Sequence, residues 1–165
     1  MLVLGIDPGT ARMGYGVVLK NGTSYEPIGY GIIELAKETT QVERLERIFT
    51  GVQELIDRYG PQYVAIEELF FFKNHTTVIS VAQARGVILL AARLARLPIF
   101  ECTPLQVKQG LTGYGRADKT QVASMVKVLL NLSKIPKPDD ITDALAVAIT
   151  ATHFIKSQKL GIKLS

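Results

Sequence analysis

A chain of 165 residues with 47% hydrophobic content is long enough to bury a core of its own and short enough to form one domain over residues 1–165, with 156–165 read as a flexible basic tail. The single cysteine, Cys102, excludes an internal disulfide framework, and neither a secretory leader nor an apolar run of membrane-spanning length stands out, so the expected compartment is the cytosol, with no membrane contact. The net charge of +4 names no polyanionic partner by itself, but the charge is uneven: Lys108, Arg116, Lys119, Lys127, Lys134 and Lys137 face one acid, Asp118, between Thr103 and Pro138, and Lys156, Lys159 and Lys163 follow. On charge alone, a solvated, solubilising face is a better account than a polyanion-binding one.

The opening run Leu2-Val3-Leu4-Gly5-Ile6 is continuously apolar and stops at Asp7-Pro8-Gly9-Thr10, the pattern of a strand buried on both faces followed by a turn. Met13 to Leu19 and Ile28 to Leu35, on either side of Asn21-Gly22-Thr23, read as two further strands of an antiparallel meander. From Thr40 to Tyr59, Val42, Leu45, Ile48, Phe49, Val52, Leu55 and Ile56 recur at helical spacing between charged residues, which predicts an amphipathic helix. Tyr63 to Glu67 reads as a second buried strand, Thr77 to Leu97 as a long helix, and Pro98 to Cys102 as a short strand. The remainder reads as helical, interrupted by a glycine-rich loop. Strands first and alternating elements afterwards predict one mixed sheet with helices on its faces, an α/β architecture. The helix over 77–97 is apolar around most of its circumference and requires burial on all sides, either as the central core helix or partly against a second copy of the chain.

The strongest chemical signal is acidic. Asp7 ends one buried strand, Glu67 ends another, and Asp140 and Asp143 open the last helix. A carboxylate among apolar neighbours must be paired, hydrogen-bonded, protonated or bound to metal, because its desolvation otherwise costs several kcal/mol. Asp140 and Asp143, three residues apart, share one helix face and are spaced to share one cation, although Asp139 or Asp140 also suits the helix N-terminus as a cap. Capping does not account for Asp7 or Glu67. Clustered carboxylates are the ligand type for magnesium or manganese, and His75 and His153 are too few and too scattered for a zinc site. Two such ions about 4 Å apart suit in-line attack on a phosphodiester. The basic stretch from Lys108 onward would then supply phosphate contacts.

Gly5-Ile6-Asp7-Pro8-Gly9-Thr10 with Gly14-Tyr15-Gly16, then Ala65-Ile66-Glu67, Gln83-Ala84-Arg85-Gly86, Gln106-Val107-Lys108-Gln109 and Asp140-Ile141-Thr142-Asp143-Ala144-Leu145-Ala146 occur in this order. Together they closely resemble the RuvC family of bacterial Holliday-junction resolvases, in the ribonuclease H-like superfamily, almost end to end. The resemblance implies a ribonuclease H-like mixed five-stranded sheet with helices on both faces. It implies a structure-selective endonuclease that resolves four-way DNA junctions in recombination and repair by paired symmetric nicks, with a preference for thymine-rich cutting sequences. The implied catalytic and metal-binding set is Asp7, Glu67, Asp140 and Asp143, holding two Mg2+ ions for which Mn2+ substitutes; Asp143 places the chain with the all-carboxylate form, since some relatives carry histidine there. Phe70 occupies the position of an aromatic that stacks on an unpaired base near the crossover, although Phe70-Phe71-Phe72 also suits simple core filling. Lys108 and Lys119 match lysines that contact the DNA backbone, with Arg116 beside them in a glycine-rich loop expected to order on DNA. Also implied are a homodimer, a branch-migration helicase complex of RuvA and RuvB as partner, and a bacterial cytoplasmic location with nucleoid association during repair.

Three other readings compete. Asp7-Pro8-Gly9-Thr10 also resembles the phosphate loop of actin-like and sugar-kinase ATPases, but those pair two such domains, and this chain carries neither a second phosphate loop nor a Walker A lysine pattern. A catalytically silent branched-DNA binding module would keep the basic face without needing the acids. A related nuclease acting on RNA–DNA hybrid would share the metal site, from which only the lysine loop, Phe70 and dimerisation would separate it.

Overall fold

The computed structural model describes residues 1–9, 11–36, 38–68 and 75–159. Among these, five strands, β1 (Leu2–Asp7), β2 (Arg12–Asn21), β3 (Ser24–Glu34), β4 (Tyr63–Glu67) and β5 (Ile99–Cys102), form one sheet in the order β3-β2-β1-β4-β5. Strands β1 to β3 are the expected antiparallel meander, and β4 and β5 join parallel to β1 through helical crossovers. The β2–β3 strands run longer than their apolar centres suggest, because a tight link at Gly22, with φ +60, carries the pairing out to Asn21 and Ser24. Pro27 is tolerated because β3 is the sheet edge.

Helices among the described residues cover both faces. On one lie α1 (Gln41–Tyr59) and α2 (His75–Leu94); on the other lie α3 (Pro104–Thr112), α4 (Lys119–Leu129) and α5 (Asp139–Lys159). The strand period of two sorts β1 cleanly. Leu4 and Ile6 pack with Ile48, Val52 and Leu55 of α1 and Ala84 and Ile88 of α2, whereas Val3 belongs to the layer of Val107, Val126, Leu145 and Ile149. Helix α1 starts at the Thr40–Glu43 capping box and stops at Gly60 in the left-handed conformation, which confirms the boundaries expected from its periodicity.

The central core helix is α5, not α2. From Ile141 to Thr152 every side chain of α5 except Asp143 is buried. Helix α2 buries Ala84, Ile88, Ala91 and Ala92 but leaves Ile79, Leu90 and Leu94 largely in solvent. The reason is layering: α2 lies outside the sheet beside α1, so only one stripe of it can face protein. Arg85 of α2 reaches Glu101 of β5 in an ion pair that ties this helix to the sheet.

Candidate active site

Alternation along two neighbouring strands brings Asp7 and Glu67 together. Ile6 pairs with Ile66 in the parallel β1–β4 ladder, so Asp7 and Glu67 follow side by side at the carboxyl ends of the two central strands. Both continue the face that carries Val3 and Ala65, the face covered by α5. Glu68 lies one residue beyond the strand, where its backbone N–H donates to the Cys102 carbonyl at 2.8 Å.

Glycines let α5 approach closely enough to complete the cluster. A Cβ at Gly5 would lie 2.2 Å from the Ala144 carbonyl oxygen, and one at Gly14 would lie 2.1 Å from that of Asp140. No other residue fits these positions with the helix where it is. Because Gly14 pairs with Asp7 across the β1–β2 ladder, seating α5 on Gly14 sets Asp140 beside Asp7, with Asp143 one turn further along. Asp7, Glu67, Asp140 and Asp143 thus line one open cavity of about 600 Å³, with Arg12, Lys119, Lys137 and Asp139 around it.

The electrostatics of this cavity are those of crowded negative charge. Burial, then the charges of Asp143, Asp140 and Glu67, pushes the Asp7 carboxyl up from 3.8 to about 7. Glu67 is raised for the same reasons, burial first and Asp143 second, against the lowering effect of Lys119 and Lys108. Lys119 donates to Asp143 Oδ2 at 3.3 Å, and that carboxylate holds the ammonium above its ordinary value. Arg12 Nε meets Asp140 Oδ2 at 2.9 Å, and Asp139 pairs with Lys137. Asp140 and Asp143 engage different basic side chains, because α5 lies between the start of β2 on one side and α4 on the other. Among the described residues no three acid, histidine or cysteine side chains converge tightly enough to enclose an ion as they stand. Their chemistry nonetheless fits a hard divalent cation, with four oxygen-donor groups around one cavity and a buried carboxyl whose ionisation the others oppose.

Of the basic residues expected to meet DNA, Lys119 opens α4 at the rim, and Lys108 of α3 joins Glu67, Lys119 and Asp143 around an adjoining cavity of about 300 Å³ floored by Val107, Val122 and Val147. Arg116 is exposed in the turn between α3 and α4 and does not line the acid cavity. That turn, expected to order on DNA, is already hydrogen-bonded: Thr112 Oγ1 donates to the Tyr114 carbonyl, Ala117 N–H donates to the same oxygen, and Ala117 is buried. Phe70 and Thr10, and 160–165 of the tail, lie outside the described residues, as do the side chains from 156 onward. Sequence reasoning missed Arg12. Its only signal was a cation directly before the apolar stretch that begins at Met13.

A mixed sheet with an antiparallel meander, two parallel crossovers and acids at the ends of its two central strands is the ribonuclease H-like class of fold, within which acids so placed mark a nuclease. Residues 3–153 match the family model of the crossover junction endodeoxyribonuclease RuvC. The chain is 54% identical to a curated crossover junction endodeoxyribonuclease RuvC of Heliobacterium modesticaldum, over 93% of this chain and 94% of that one. It is similar to a solved Thermus thermophilus RuvC structure, with a TM-score of 0.88 and 36% identity, covering 96% of this chain and 97% of the other. A second T. thermophilus RuvC structure, in complex with a Holliday junction substrate, matches with a TM-score of 0.86 and 34% identity, over 94% and 96% of the two chains. The chain belongs to the crossover junction endodeoxyribonuclease RuvC family, and divalent metal use follows from that membership. Among the described residues no helix is long and apolar enough to cross a membrane.

Proposed function

We propose that this protein is a structure-selective endonuclease that resolves four-way DNA junctions by paired symmetric nicks, and that residues 1–165 form its single nuclease domain. The observation that carries this reading is the meeting of Asp7, Glu67, Asp140 and Asp143 in one cavity beside Lys119, in a chain similar to a resolvase solved with its junction. These four acids would hold two Mg2+ ions, with Mn2+ able to substitute. When bound, the ions supply Lewis-acid activation of the phosphodiester and a water nucleophile at neutral pH. The protein's own part is to place and to balance. Asp7, whose ionisation its neighbours oppose, would be held as the carboxylate by a cation in the cavity. Lys119 and Lys108 bind phosphates of the DNA backbone beside the acid cavity, and Arg116 extends that track along the exposed turn. Phe70 stacks on a base freed at the crossover, an interaction worth about 1 to 3 kcal/mol.

A junction with two-fold symmetry needs two matched sites, which a symmetric dimer supplies. The exposed stripe of Ile79, Gln83, Gly86, Leu90 and Leu94 along α2 supports that assembly: the spacing keeps one helix face, and a Cβ at Gly86 would meet nothing within 4 Å, so the stripe is open to a second copy. RuvA and RuvB are the partners this role calls for, in a bacterial cytoplasm with nucleoid association during repair.

The test is strand cleavage of end-labelled four-way junction, linear duplex and RNA–DNA hybrid with Mg2+, resolved on a denaturing gel. Paired nicks confined to the junction and lost with Glu67→Gln but retained with Glu68→Gln are expected. Cutting of the hybrid would change the substrate class, and tight junction binding without cleavage would make the chain a binding module. A monomer by sedimentation at micromolar concentration would remove the dimer.

A further inference from the structure

Arg12 sits at the mouth of the acid cavity, where a cation cannot itself be a metal ligand. It begins β2, directly after the turn that follows Asp7, and the turn is folded tightly against it: a Cβ at Gly9 would lie 2.2 Å from the Arg12 carbonyl oxygen. The residue is held at its backbone from the other side as well, where Ala11 accepts from Leu35 N–H at 3.1 Å and Arg12 itself pairs with Glu34. Its side chain is 45% exposed, yet Nε makes a 2.9 Å ion pair with Asp140 Oδ2. Among the described residues the ion pair engages Oδ2 of that carboxylate. Oδ1 lies beside Gly9, 3.5 Å from where a Gly9 Cβ would lie, and Asp140 lines the cavity with Asp7.

We propose that Arg12 is a positioning residue for the metal site: by gripping Oδ2 of Asp140 it fixes the rotamer of that carboxylate and directs Oδ1 to the cation. Ligating carboxylates act well only when a neighbouring donor holds them in place. Asp140 requires such a donor more than Asp7 or Glu67 do. Those two side chains leave the carboxyl ends of the two central strands and are the more deeply buried, whereas Asp140 lies in the first turn of a helix and meets Arg12 in an ion pair. Charge accounting favours retention of the pair when the site is loaded. Four carboxylates balance two divalent ions, so Arg12 need not leave, and together with Lys119 it offsets the incoming phosphate. Helix contact already fixes the backbone of Asp140 on Gly14; Arg12 fixes its side chain.

The proposal rests on the reading of the four acids as metal ligands, and the test separates the two. Mn2+ binding is titrated on the full chain by electron paramagnetic resonance, without DNA, for the wild type, Arg12→Gln, Arg12→Lys, Asp140→Asn and the double variant Arg12→Gln/Asp140→Asn. Thermal unfolding in chelator serves as the folding control. Arg12→Gln is expected to weaken Mn2+ binding about 10-fold or more with an unchanged melting temperature in chelator. Arg12→Lys is expected to recover part of that loss. In the Asp140→Asn background, removing Arg12 should have no further effect, because the residue it positions is already gone. Unchanged or tighter Mn2+ binding in Arg12→Gln overturns the proposal, as does a loss that adds fully to that of Asp140→Asn. If Asp140→Asn itself leaves Mn2+ binding intact, the four-acid reading fails first and takes the positioning role with it.

Discussion

The two ends of α5 treat polar groups in opposite ways. At its start, Asp140 and Asp143 stand with Asp7 and Glu67 around an open cavity, and the crowding drives the Asp7 carboxyl to about 7. Toward its other end His153 meets Tyr25 of β3, whose hydroxyl accepts from Lys20 of β2. Burial first, and Lys20 second, hold the His153 imidazole below its ordinary value, and it also bonds the Gly110 backbone. This second cluster is a closed chain in which Lys20, Tyr25, His153 and a carbonyl satisfy one another. The first is built with like charges facing each other. Satisfied polar groups stabilise a fold, whereas charges left in mutual repulsion inside a cavity are tolerated where a ligand supplies the missing charge.

If that contrast holds, substitutions at the two ends should separate stability from activity. The largest effect is expected for Asp7→Asn, which should abolish cleavage yet stabilise the protein in chelator. Between pH 4 and pH 7 the native state keeps a proton on Asp7 that the unfolded chain has released, so wild-type stability falls as pH rises through that window. A rise of about 3 pKa units sets a ceiling of about 4 kcal/mol, which Asp7→Asn should recover at pH 8 and not at pH 4. Urea unfolding in chelator at both pH values checks this, and equal effects at both would show that Asp7 is not destabilised by its surroundings. Next, Gly14→Ala should cost roughly 3 kcal/mol and also lose cleavage, because the added methyl must push Asp140 and the start of α5 off the sheet. Retained cleavage would mean that the helix can retreat without disturbing the site. At the far end, Tyr25→Phe should cost about 1 kcal/mol and leave cleavage unchanged, since its hydroxyl serves Lys20 and His153, away from the acid cavity. Smallest in stability is Lys119→Ala, below about 1 kcal/mol for so exposed a pair. Its signature lies elsewhere, in a salt dependence of junction binding flattened by roughly one phosphate contact. An unchanged slope would remove Lys119 from the DNA interface.

Much of this was legible in the chain itself. The apolar run ending at Asp7 and its counterpart ending at Glu67 identified the two central strands and the acids that close them, because a charge at the end of a doubly buried strand requires a compensating group beside it. Helix α1 was readable to its caps, since its periodicity, the Thr40–Glu43 box and Gly60 are all local signals. The assignment of the core helix was not. Apolar content alone favours α2, but α5 is the buried one, because its alanines, and the glycines opposite them in β1 and β2, permit a close approach that hydrophobicity does not measure.

What the sequence determined by itself was the period, the punctuation and the kind of chemistry: which residues form strands and helices, and that the carboxylates ending two buried strands need a compensating group. Only the tertiary structure decided how they meet. The parallel register of β1 and β4 sets Asp7 beside Glu67, and the contact of Gly14 with the Asp140 backbone brings the third acid to them. The same packing sets Arg12 against Asp140 and Lys119 against Asp143. Local patterns specify which face of an element is apolar, but the distance between two charges remote in sequence is set by how closely their elements pack. Here that distance was set by the absence of a side chain at two glycines.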